Sequence, residues 1–169
     1  HAYNKLGSAL IDLKEYHEAK KNLKKSIQLS PNYADAYYKL GNLYFDTKEY
    51  CLAAKQYNKS IKLNPSNYQA HNNLGMLYIE LKKYNEAERI LKNTLIIKPD
   101  CAEAYYNLGN LYCNIKKYKL ALFQYQKAIE INPHHYKSHH NLGMLYIELK
   151  KYNEAEKKLK TASNLRPNC

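Results

Sequence analysis

Two groups of side chains in this sequence have types and spacings that could do chemistry. His134, His135, His139 and His140 crowd into one short stretch, and a helix through it would place His135 and His139 on a shared face as metal ligands. The first pair falls in a turn after Pro133, however, so the stretch reads as a solvated turn followed by a substituted packing position, with no metal held. The second group is Asn73, Asn107 and Asn141, each 34 residues from the next. A primary amide both donates and accepts, so a row of them could hold an extended peptide whose own backbone needs partners. Nothing reads as a catalytic constellation. There is no glycine-rich phosphate loop and no nucleophile with a placed base, and the carboxylates recur along the chain instead of converging. No enzyme activity and no cofactor are expected.

The elements that must position these residues are announced by a period. Gly7, Gly41, Gly75, Gly109 and Gly143 stand 34 residues apart, and so do Pro31, Pro65, Pro99, Pro133 and Pro167. A fixed period of this length means that one supersecondary unit is repeated and buries its apolar face only by stacking on neighbours. Within the third copy Leu74, Leu77, Tyr78 and Leu81 follow the i, i+3, i+4, i+7 stripe of an amphipathic helix, and Tyr84, Ala87, Leu91, Thr94 and Leu95 form a second stripe. Two helices per copy are predicted, with boundaries 1–33, 34–67, 68–101, 102–135 and 136–169. Proline ends each copy because it cannot continue a helix and drives the preceding residue to extended geometry. The glycine lies inside a helix, where it costs about 1 kcal/mol against alanine, so its recurrence points to a close approach by the second helix.

A second period overlies the first. Residues 74–88 recur unchanged at 142–156, and the second and fourth copies share AYYxLGNLY, so the copies alternate in type, as a duplicated 68-residue pair would. Cys51, Cys101, Cys113 and Cys169 show no CxxC spacing and fit free thiols, which suggests a cytoplasmic or nuclear setting. No apolar stretch approaches the roughly 18 residues of a membrane span. The chain opens at the second position of a copy and closes at the last, which reads as a piece of a longer protein.

The fourth copy carries Tyr105, Leu108, Gly109, Tyr112, Ala121, Tyr125, Ala128 and Pro133, a pattern that resembles the tetratricopeptide repeat (TPR) over all 169 residues. His71 and His139 depart from it at the first aromatic, Ser26, Ser60 and Thr94 at the second alanine, and there is no Trp. The resemblance implies an all-α, right-handed superhelix of five repeats forming a single array, a protein-interaction scaffold whose first helices line a concave groove. Of the nineteen tyrosines, most then hold packing positions, while Tyr38 and Tyr106 face the groove. The groove would carry the amides Asn42, Asn73, Asn107, Asn110 and Asn141 and an apolar stripe including Phe45, Ile79 and Ile147. Its acids would include Asp35, Asp46, Glu80, Glu103 and Glu148.

The resemblance thus implies an acidic groove within a chain of net charge +12, with the positive charge on turns and outer helices. A protein or peptide guest, polar to basic, is expected there. Nucleic acid is disfavoured because the groove does not gather lysines along a phosphate path. Lys14, Lys48, Lys82, Lys116 and Lys150 read as a solvated rim at the turn between helices. The asparagine row is similar to the ladder of O-linked N-acetylglucosamine transferases, whose amides hold a peptide main chain. The clamp that other TPR proteins use for the acidic C-terminus of heat-shock chaperones is not expected, since the best register supplies Tyr38, Asn42, Asn73, Glu103 and Asn107 without the cations. Two alternatives stay open. One is a structural subunit that self-associates through open solenoid ends, exposing Leu159, Ala162 and Leu165; the other is the recognition domain of a larger glycosyltransferase.

Overall fold

The computed structural model describes residues 1–165, so Pro167 and Cys169 lie outside the described residues. Among those residues there are ten α-helices and no strand: α1 (Ala2–Asp12), α2 (Tyr16–Leu29), α3 (Ala34–Asp46), α4 (Tyr50–Leu63), α5 (Tyr68–Glu80), α6 (Tyr84–Ile97), α7 (Ala102–Asn114), α8 (Tyr118–Ile131), α9 (Tyr136–Glu148) and α10 (Tyr152–Leu165). Each expected repeat contains one helix pair. The chain divides into two compact units, His1–Leu81 with α1 to α5 and the remainder from Lys82 with α6 to α10.

In the first unit α1 packs on α2 and α3 on α4 as hairpins, and the first helices α1, α3 and α5 touch in succession. In the second unit α7 packs on α8, α9 on α10, and α7 touches α9. Leu23, Leu43, Tyr57, Leu74 and Leu77 are almost fully buried in one, Leu91, Leu111, Tyr125 and Leu142 in the other. Burial of each such side chain is worth about 1.5–3 kcal/mol.

The glycines do what their recurrence implied. A Cβ built on Gly41 would stand 2.6 Å from the Tyr57 ring, and one on Gly109 would overlap the ring of Tyr125. Ahead of the prolines, Ser30, Asn64, Lys98 and Asn132 all leave the helix for extended backbone, with φ between −128° and −142°. The turns within each pair hold a feature the sequence did not announce. Lys14, Lys48, Lys82, Lys116 and Lys150 all adopt left-handed backbone, φ 56–61°. In the second repeat Lys48 N–H donates to Phe45 O at 2.9 Å and Glu49 N–H reaches back to Tyr44 O at 2.8 Å, the paired closure of a Schellman motif.

Two tyrosines assigned to packing are instead exposed: Tyr3 at 42% and Tyr152 at 64%. Such positions are covered by an adjoining repeat, as when the Tyr118 hydroxyl meets Glu148, and no described repeat precedes Tyr3 or follows Tyr152. The open flank expected of α10 is also partly closed. Ala162 is buried, and Leu159, which lies against Gly143, is half-covered, as is Leu165.

Candidate functional site

Within each unit the first helices bring one polar cluster together. On α3, Tyr38 and Asn42 are spaced i, i+4 and so share a face. From α5, Asn73 Nδ2 donates to Asn42 Oδ1 at 3.0 Å and to the Tyr38 hydroxyl at 3.4 Å. From α4, the Tyr57 hydroxyl donates to the same Asn42 Oδ1 at 2.9 Å. The second unit repeats this with residues 68 positions on. Asn141 Nδ2 donates to Asn110 Oδ1 at 2.8 Å and to the Tyr106 hydroxyl at 3.3 Å, and the Tyr125 hydroxyl donates to Asn110 Oδ1 at 2.8 Å. Burial pushes the phenols of Tyr57 and Tyr125 far above the usual tyrosine range, so both remain proton donors.

This wiring decides what each cluster can offer. The Oδ1 of Asn42 accepts two bonds and is spent, while among the described residues no acceptor meets its Nδ2. The Tyr38 hydroxyl accepts from Asn73 and keeps its own proton to give. Two amide N–H groups and one phenolic O–H are therefore left at a half-exposed surface, a set that fits carbonyl oxygens. Asn110 and Tyr106 offer the same. The expected ladder is corrected accordingly. Asn73 and Asn141 spend their donors holding Asn42 and Asn110, and Asn107 is only 2% exposed, so it cannot line an open surface.

The surroundings are mixed. Phe45 is half-buried with its ring centroid 5.7 Å from that of Tyr50, and Ile147 is 40% exposed. Ile79, expected as an apolar anchor, is buried at 7%; Ile147 lies in an identical local sequence, so the difference comes from packing around the residue. Asp46, Glu80 and Glu148 are exposed, and loss of water around the Asp46 carboxyl pushes its pKa up. Asp35 accepts from Asn4 at 2.6 Å and pairs with Lys39 at 3.5 Å, and Glu148 accepts from Tyr118 at 3.4 Å, so part of the acidity is already engaged.

Glu103 is engaged as well, and by an unexpected partner. His135, read as a solvated turn residue, is buried and caps α9. Its Nδ1 accepts from the Ser138 N–H at 3.3 Å, and its Nε2 donates to Glu103 Oε1 at 3.0 Å. That bond holds the Glu103 carboxyl below the usual range. His139 donates from Nε2 to Pro133 O at 3.0 Å, and burial lowers its pKa. Both rings thus spend a nitrogen inside the fold, and no group of three potential metal ligands forms among the described residues.

Sequence reading missed the part that Tyr57 and Tyr125 play, because their ring positions looked like pure packing. The signal was present. Asn at the ninth position of the repeat, Tyr at the fifth and Tyr on the second helix occur together only in the second and fourth copies.

Tandem helix pairs whose first helices share a polar surface define an all-α repeat protein of the solenoid class. The tetratricopeptide repeat family matches residues 70–98, 102–135 and 124–157, and a further TPR repeat family matches 7–48 and 41–81. The chain belongs to the tetratricopeptide repeat family. Among solved structures, the one of Pseudomonas aeruginosa PilF is 24% identical with a TM-score of 0.89, covering 99% of this chain and 77% of its own. MamA of Desulfovibrio magneticus RS-1 is 23% identical with a TM-score of 0.80, covering 97% and 93%. YrrB, described as a TPR protein with an unusual peptide-binding site, is 23% identical with a TM-score of 0.70, covering 98% and 86%. No curated protein matches the sequence. No described helix is long and apolar enough to cross a membrane.

Proposed function

We propose that the chain is a non-catalytic interaction scaffold that binds an extended peptide segment of a partner protein along its first helices. The observation that carries this is the cluster itself. In each unit Asn42 or Asn110 is held by two bonds to its carbonyl oxygen, which leaves its N–H groups for a half-exposed surface. A preorganised donor loses little entropy on binding, which favours main-chain carbonyl recognition. Phe45 and Ile147 would serve as apolar contacts, and Asp46, Glu80 and Glu148 would favour a polar to basic guest. Glu103 is committed to His135 and is assigned no contact.

Isosteric replacement tests the reading. In the Asn42→Asp, Asn110→Asp variant each carboxylate keeps an acceptor for the tyrosine and asparagine donors but loses the outward N–H groups. Peptides selected on the native chain from a random display library should bind this variant roughly tenfold more weakly, a loss of about 1.4 kcal/mol, with helicity unchanged. Equal affinity would show that the clusters do not touch the guest.

A further inference from the structure

The net charge of +12 is unevenly placed. In the first unit α2 carries Lys20, Lys21, Lys24 and Lys25 against Glu18, and α4 carries Lys55, Lys59 and Lys62 against no acid, a balance of +6. In the second unit α8 has Lys119 and Lys127 against Glu130, and α10 has three lysines against two glutamates. In α6, Arg89 and Lys92 are cancelled by Glu86 and Glu88. The second helices of that unit therefore sum to only +2.

The lysines of the first unit also border two equivalent furrows. One, of about 460 Å³, is lined by Tyr3, Lys21, Asn22, Lys24, Lys25 and Gln28. The other, of about 410 Å³, is lined by Tyr37, Lys55, Gln56, Asn58, Lys59 and Lys62. Lys21 pairs with Glu18 at 3.6 Å, but among the described residues no carboxylate pairs with Lys24, Lys55, Lys59 or Lys62. Lys59 Nζ stands 5.8 Å from the centre of the Tyr37 ring. The Tyr37 hydroxyl is anchored on Pro31 O at 3.0 Å, and the residue is half-buried.

We propose that the second-helix face of the first unit binds single-stranded nucleic acid, with phosphates on the lysines and a base against Tyr37 where it lines the furrow beside α4. Basic grooves with interleaved aromatics suit such strands because every nucleotide brings one charge and one stacking face, whatever its sequence. An acidic peptide brings the charge but not a stacking face with each charge, so it makes no use of the aromatic ring beside the lysines. Neither the acids of the first helices nor the turn lysines Lys14 and Lys48 line these two furrows. The proposal does not depend on peptide binding.

The test is fluorescence anisotropy of a labelled oligothymidylate of roughly 20 nucleotides with the whole chain, between about 50 and 200 mM salt. The variant Lys55→Gln, Lys59→Gln, Lys62→Gln should bind at least tenfold more weakly at the lower salt, and its log–log salt slope should fall by about 2, at roughly 0.7 per phosphate contact. The variant Lys119→Gln, Lys127→Gln, Lys158→Gln, with the same loss of charge in the second unit, should change affinity less than about twofold. Equal losses in the two variants overturn the proposal, as does absence of binding by the native chain at low salt. So does displacement of the oligonucleotide by polyglutamate at equal charge, or a lysine dependence seen only with phosphatidylserine vesicles. If circular dichroism shows the triple variant unfolded, Lys62→Gln alone decides, through a slope decrease of about 0.7 or none.

Discussion

The Asn–Tyr clusters of the two units are the same device set in different frames. Around Asn42 the device sits beside the aromatic Phe45 and the carboxyl of Asp46, while at the same positions near Asn110 stand Cys113 and Asn114. The Tyr57 hydroxyl has Asn42 Oδ1 as its acceptor, whereas the Tyr125 hydroxyl also lies 3.6 Å from Cys113 Sγ. The helices that follow are capped differently too: α5 by Asn67, whose side chain accepts from Ala70 N–H at 3.1 Å, and α9 by His135. The same hydrogen-bonded cluster thus coexists with two local chemistries, one aromatic and acidic, the other neutral and thiol-bearing.

The sharpest way to break the device is to move its tyrosine. Gly41→Ala and Gly109→Ala each force a methyl group into a rigid ring, and overpacking should cost about 2–3 kcal/mol, outweighing the helix propensity gained. Thermal melts should show Gly109→Ala as the worse of the two, since its ring lies closer. Removing the shared acceptor comes next. Asn42→Ala strands the Tyr57 hydroxyl and the Asn73 amide and should cost about 1–2 kcal/mol. Asn110→Ala should cost less, because Cys113 Sγ remains for Tyr125. Equal costs in denaturant titrations would remove that distinction.

The caps give a pH-dependent comparison. His135→Asn should keep α9 capped, as Asn67 caps α5, yet it removes the partner of Glu103. The folded-state pKa of Glu103 is lowered chiefly by the His135 bond, so its stabilisation is present above the unfolded value of about 4.3 and fades as pH falls through the lower folded value. The native chain should exceed the variant in stability at neutral pH, with the gap closing in strong acid; a gap constant from neutral pH into strong acid would assign the loss to capping alone. The smallest expected effect lies at the turns. Lys48→Gly relieves left-handed backbone and should stabilise the first unit by about 0.5 kcal/mol after the entropic cost of glycine.

Much of the fold was legible because it rests on local rules. The prolines set extended backbone ahead of them, and the glycines marked where Tyr57 and Tyr125 press close. The site was less legible because exposure is a property of neighbours. Ile79 and Ile147 sit in identical stretches and differ from 7% to 40% exposed, and Met144 is 49% exposed where Met76 is half-buried. Register alone placed Asn107 beside Asn73 and Asn141 in a row, yet it is buried. His135 looked like turn chemistry because its partner, Glu103, lies 32 residues earlier.

The alternation of repeat types has a consequence for how such a chain can change length. The acceptor of each cluster belongs to one repeat and the asparagine that seats it to the next, so Asn141 needs an Asn–Tyr repeat immediately before it. Loss of residues 102–135 alone would set Asn141 after Met76, whose thioether side chain has no carbonyl to offer, whereas loss of 68–135 would set it after Asn42 and rebuild the cluster. Growth and shrinkage by recombination should therefore be tolerated in steps of two repeats, so that the heritable module is the pair, not the helix hairpin.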